Sequence, residues 1–124
     1  MKVEEEKILK KELTVLEPRC TVKLRKQLTT YALAGVPADC LRVSVTFRTD
    51  AIYCIHYLLL HIPVAEGLYN VYIKAKVVEL SEVQAGKFKW KKDIRGSEFE
   101  GSLGNLTILQ IADAIKNYTY RITA

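Results

Sequence analysis

Residues 52–62 read Ile-Tyr-Cys-Ile-His-Tyr-Leu-Leu-Leu-His-Ile, and they are apolar on both faces that an extended chain presents. A strand of this kind must be covered above and below, so it belongs at the centre of a sheet and not at its margin. Pattern alone also fits a buried helix. The segments on either side favour the strand reading. Upstream, Leu41, Val43, Val45 and Phe47 alternate with Arg42, Ser44, Thr46 and Arg48. Downstream, Val71, Ile73, Ala75 and Val77 alternate with Tyr72, Lys74, Lys76 and Val78. Each has one face for a core and one for water. Thr49-Asp50 and the stretch from Pro63 to Gly67 supply turns between them. Lys87 to Lys91 alternates lysine with Phe88 and Trp90, and it is expected to form a hairpin with the strand over 68–80.

Two segments read as helices. Leu24, Leu28, Tyr31 and Ala32 fall at i, i+4, i+7 and i+8, which predicts a helix over Val22–Ala34, capped by Thr21 and stopped by Gly35 and Pro37. Thr107-Ile108-Leu109-Gln110 fits a capping box, with Ile108, Ile111, Ala112 and Ile115 forming the apolar stripe behind it. Leu106 and Ile111 occupy the positions of a hydrophobic staple. The first seventeen residues are ambiguous. Glu6 and Lys10 have helical i,i+4 spacing, whereas Glu12 to Glu17 reads as a short strand ended by Pro18. Tyr118 to Ile122 is expected to rejoin the sheet as a final strand. A strand-rich run from 40 to 92 broken only by short turns argues for a meander, not for parallel βαβ units. The expectation is an α+β fold: one domain over 1–124, with an antiparallel sheet of four to six strands and two helices packed on it.

The 124 residues are 49% hydrophobic and 27% charged, which is the composition of a folded domain and not of a disordered segment. Nineteen basic against fourteen acidic groups give a formal charge of +5. Residues 1–35 hold eight basic and five acidic side chains, residues 36–66 hold two and three, and residues 67–124 hold nine and six. An anionic partner would therefore meet the two ends of the chain. Cys20, Cys40 and Cys54 are odd in number and widely spaced, unlike a disulfide framework. The charged start, Met1-Lys2-Val3-Glu4-Glu5-Glu6-Lys7, has no secretory h-region, and the apolar run at 51–65 is shorter than the roughly 20 residues of a membrane span. An intracellular, cytoplasmic protein without a membrane segment is expected.

Pairing of 68–80 with 87–91 would place Lys74, Lys76, Lys87, Lys89 and Lys91 on one solvent face, with Tyr72 among them and Arg95 near its end. Cations for phosphates and a ring for bases suit single-stranded nucleic acid. The competing reading is a solvated face that confers solubility and blocks edge association. Trp90 points away from the lysines and is assigned to the core. Cys54 and His56 share a strand face, but two ligands do not make a zinc site, and His61 faces the other way. Gly96 to Asn105 matches no phosphate-binding fingerprint and is read as a surface loop. Asp39, Asp50, Glu66 and Asp93 are isolated in turns, as backbone preference dictates. No cofactor, metal site or catalytic motif emerges, so nothing makes a positive case for an enzyme. The functional expectation is a non-enzymatic interaction or assembly module, self-associating as a homo-oligomer or binding another protein. Its motive is that the two-sided strand and Tyr53, Tyr57, Tyr69, Tyr72, Tyr118 and Tyr120 exceed what a small core hides. The alternative is a nucleic-acid-binding domain using the lysine-rich sheet face.

Overall fold

A computed structural model describes residues 1–16, 20–33, 35–47, 53–79 and 99–123. In chain order these form helix α1 (Val3–Leu13), a 3-10 turn (Thr14–Leu16), strands β1 (Cys20–Leu33), β2 (Val36–Phe47), β3 (Tyr53–Ala65), β4 (Leu68–Glu79) and β5 (Phe99–Leu106), and helix α2 (Ile108–Thr123). The five strands make an antiparallel sheet in the order β1-β2-β3-β4-β5, with β3 at the centre. This is the α+β meander that the alternation predicts.

Both helices pack on one face of the sheet. Val22 of β1, Leu41, Val43 and Val45 of β2, Ile55, Tyr57 and Leu59 of β3, and Val71, Ile73 and Ala75 of β4 form a single buried cluster with Leu9 and Leu13 of α1 and Ile111 and Ile115 of α2. The period-2 positions of four strands thus meet the period-3.6 stripes of two helices. At its centre, the Tyr57 hydroxyl donates to the carbonyl oxygen of Ile115 at 3.3 Å and lies 2.6 Å from Thr119 Oγ1. The Tyr57 ring meets Tyr118 edge-on, with centroids 5.9 Å apart. Burial in this cluster pushes the Tyr57 hydroxyl far above its ordinary pKa, against the opposing hydrogen bond from Thr119.

The capping box forms as the residue types require. Gln110 N donates to Thr107 Oγ1 at 3.4 Å, and Thr107 N donates to Gln110 Oε1 at 2.9 Å. The helix then continues through Tyr118 to Thr123, where the sequence predicts a strand. Tyr118 and Thr119 follow Ile111 and Ile115 on the same helical stripe and are buried with it, so packing overrides the β preference of a Tyr-Thr-Tyr segment.

The N-terminal third differs most from expectation. Val22–Ala34 is not a helix; its described residues belong to β1, paired with β2 from Cys20↔Phe47 to Leu33↔Val36. Cys20, Val22 and Leu24 face the core side and Thr21, Lys23 and Arg25 the other, a period of two that the accidental i, i+4, i+7 spacing conceals. Thr21, Val22, Thr29, Thr30 and Tyr31 also favour a strand. Gly35, at φ 78°, turns the β1–β2 hairpin and does not cap a helix. The second helix is instead α1, where Leu9 and Leu13, with Leu16 of the following turn, reach the core. Glu4, Glu5 and Glu6 in its first turn and Lys10 and Lys11 in its last complement the helix dipole. Residues 12–16 therefore end a helix and do not form a strand.

The glycine-rich segment is likewise not a loop from Phe99 onward. It is β5, paired with β4 over Tyr69–Ala75. The register shifts between Val71 and Tyr72, and Gly104 sits there at φ 78°, a conformation that glycine adopts without strain. Lys87, Lys89, Lys91, Trp90 and Arg95 lie outside the described residues.

Loss of the cap and loss of the core contact should separate in magnitude. Thr107→Ala is expected to cost about 0.5–2 kcal/mol, and Ile111→Ala about 2–5 kcal/mol. Urea unfolding of both variants checks the order. Equal, negligible effects would mean that α2 is not docked on the sheet.

Candidate functional site on the face opposite the two helices

Strand register decides which charged side chains become neighbours. Opposed residues of antiparallel strands lie on the same face, about 5 Å apart. Following the pairs across the sheet gives one row of Lys23, Ser44, His56 and Lys76. The next row is Arg25, Arg42, Leu58 and Lys74, with Glu100 at the β5 margin. A third brings Cys40, Leu60 and Tyr72 together. All three rows lie on the face opposite α1 and α2. The two rows place Lys23 and Arg25 on β1, Arg42 on β2 and Lys74 and Lys76 on β4, with no cation on β3 between them. Lys23, Arg25 and Lys76 are exposed and Arg42 and Lys74 partly buried.

Lys74 and Tyr72 were expected to share a face, and they do: Lys74 Nζ lies 5.3 Å from the Tyr72 ring centroid. Lys76 joins them. The remainder of the expected ladder, Lys87, Lys89, Lys91 and Arg95, falls outside the described residues. In compensation, the structure adds Lys23, Arg25 and Arg42. The first two escape notice because they appear to lie off the stripe of a helix. The alternation of Cys20, Val22 and Leu24 with Thr21, Lys23 and Arg25 is the signal that identifies them.

Apolar residues sit beneath these cations. Cys40, Leu58 and Leu60 form a small buried cluster, with Tyr72 partly buried against it. Leu58 is 1% exposed and Leu60 6%, so this half of the two-sided strand is closed off within the single chain. Tyr57, Tyr69 and Tyr118 belong to the helix-side core. The apolar excess that motivates self-association is thereby much reduced.

Ser44 Oγ lies 3.1 Å from His56 Nδ1, a spacing that suits a nucleophile and its base. Burial, reinforced by the Arg42 guanidinium, holds His56 down at about 4. A general base works best near the operating pH, so this imidazole is a weak one, and the contact acts as a cross-strand hydrogen bond. Arg42 Nε is buried without a hydrogen-bond partner among the described residues. Cys54 contacts Thr46 Oγ1 at 3.3 Å, and burial raises its thiol pKa despite that contact. The Cys40 thiol is pushed up to about 11 by burial, only partly offset by Arg42. Such thiols are inert as nucleophiles. Among the described residues no three His, Cys, Asp or Glu side chains are grouped to hold a metal ion. None of the described helices is long and apolar enough to cross a membrane.

His61 faces the helix side, opposite His56, as the alternation requires. It stacks edge-on against Tyr69 at 5.6 Å, and its Nε2 lies 3.2 Å from the Met1 amino nitrogen. Burial, with the adjacent positive charge of that amino group, lowers it to about 4. The Tyr69 hydroxyl donates to Glu5, fastening α1 to β4.

The chain matches no protein-family model, no curated protein and no solved structure. Function must be argued from the arrangement of side chains alone.

Both histidines are neutral in the fold at pH values where an unfolded chain protonates them. A depressed folded pKa gives stability that is complete above 6.5 and is lost as pH falls toward about 4. Each group should remove up to about 1.4 kcal/mol per pH unit in that window. Urea midpoints at pH 7, 5.5 and 4.5 are expected to fall in that order. A flat profile would show that the imidazoles are not held neutral.

Proposed function

We propose that this chain is a non-enzymatic interaction module that binds single-stranded nucleic acid across the sheet face opposite α1 and α2. The observation that carries the reading is the register that aligns Lys23, Arg25, Arg42, Lys74 and Lys76 in two adjacent rows. Cations at strand spacing, three of them exposed, suit a flexible phosphate backbone, which can bend to meet them. Tyr72, at the end of the Arg42–Lys74 region, offers an aromatic ring for a base. The net charge of +5 assists encounter without deciding the partner. Self-association remains the other reading of the sequence. It has less behind it, because the apolar residues of β3 that called for a partner are buried within one chain.

Titration of a labelled oligothymidylate at several salt concentrations tests this. The log–log slope should be about −0.7 per phosphate contacted, hence roughly −2 to −3 for three or four contacts. Joint replacement of Lys23, Arg25 and Lys76, all exposed, by Gln should flatten the slope with little change in stability, because exposed charges contribute little to folding. Tyr72→Ala should weaken binding by about 1–3 kcal/mol at every salt concentration if a base stacks there. No binding at low salt, or a slope untouched by the triple replacement, would reduce the cations to a solubility device.

A further inference from the structure

On the other side of the sheet, α1 runs beside the margin of β1 and leaves an open groove. Val3 and Leu24 provide its apolar lining, and Lys7, Lys10 and Lys11 stand along it. Glu6 also lines it, but that carboxylate is already engaged by Lys26 at 3.4 Å. Lys10 donates to the backbone carbonyl of Val22, which ties the helix to the strand. Lys7 and Lys11 are exposed and belong to no ion pair among the described residues.

Consecutive residues of β1 point to opposite faces. Arg25 belongs to the cation row of the face opposite α1 and α2, and Lys26 to the helix side, where it meets Glu6. The β1 margin therefore has Lys23 and Arg25 on one side and Lys7 and Lys11 on the other, with Lys26 between them paired to Glu6. From β4 to β1 the face measures three strand spacings, about 14 Å. That accommodates only a few nucleotides, so any longer strand must continue past the β1 margin.

We infer that the single-stranded nucleic acid proposed above turns over the β1 margin and lays its phosphates in the groove between α1 and β1, against Lys7 and Lys11. The inference rests on the functional reading of the face opposite α1 and α2 and extends it to a second surface. Adjacency of Lys7 and Lys11 to that face, across the β1 margin, favours the same polyanion over an acidic peptide, which the groove alone would also attract. Val3 and Leu24 lie against sugars, and no base is read there, so this part of the site is indifferent to sequence.

Fluorescence anisotropy with labelled oligothymidylates of about 6 and about 15 nucleotides separates the two surfaces. The short strand covers the sheet face alone. The long strand should bind at least about tenfold more tightly, with a salt slope steeper by about 1 to 2. Lys7→Gln with Lys11→Gln should remove that advantage, lower the long-strand slope by about 1, and leave the short strand unaffected. Arg25→Gln with Lys74→Gln should weaken both strands. Unaltered long-strand binding by the Lys7/Lys11 variant, with the Arg25/Lys74 variant impaired, overturns the groove and spares the face. Failure of either strand to bind overturns both. Binding of a labelled Asp- and Leu-containing peptide that depends on Lys7 and Lys11, without oligonucleotide binding, replaces the nucleic acid with a protein partner.

Discussion

The burial of β3 on both faces is the constraint from which the architecture follows. Its helix-side residues, Ile55, Tyr57 and Leu59, are at most 1% exposed, and Leu58 on the other face is equally closed. A strand with no wet face needs hydrogen-bonded neighbours on each side, which β2 and β4 provide as long hairpin partners. It also needs cover, and the two helices supply it on one side through Leu9, Leu13, Ile111 and Ile115. Tyr57 joins these requirements in one residue. Its ring fills the core while its hydroxyl donates to the Ile115 carbonyl and meets Thr119 Oγ1, so that hydroxyl is not left stranded by its burial.

Placing both helices on one face gives the two faces different work. The helix side is a sealed core, and its histidine, His61, is buried and neutral. The opposite side carries the charges, and register alone brings them together. Lys23 and Lys76 are 53 positions apart in sequence yet lie in one row across the sheet. Positive charge gathered on one face is costly through mutual repulsion, which an anionic partner would relieve. Solvent screening keeps that cost small for exposed side chains, and a fold of this kind bears it readily.

What could be read from the sequence follows physical lines. β2, β3 and β4 were legible because each carries an unbroken period of two, or burial on both faces, bounded by turn residues. The start of α2 was legible because Thr107 and Gln110 form a local motif that needs no tertiary context. β1 was not, because Leu24, Leu28, Tyr31 and Ala32 mimic a helical stripe while the true signal is interrupted by the irregularity between Gln27 and Tyr31. β5 was hidden by its glycines, since Gly101 and Gly104 look like a loop until β4 supplies a partner. Half of the cation site shared the fate of β1. Lys74 and Lys76 were apparent, while Lys23 and Arg25 became candidates only when their segment proved to be a strand.

The central claim is that register, not sequence proximity, assembles the face proposed to bind an anionic strand. Titrating the isotopically labelled protein with oligothymidylate and following backbone amide resonances tests it most directly. The account predicts shifts at Lys23 and Arg25 of β1, Arg42 of β2, and Lys74 and Lys76 of β4, with Leu109 and Asp113 on the exposed side of α2 unmoved. Shifts confined to one segment of the chain, or centred on α2, would contradict it.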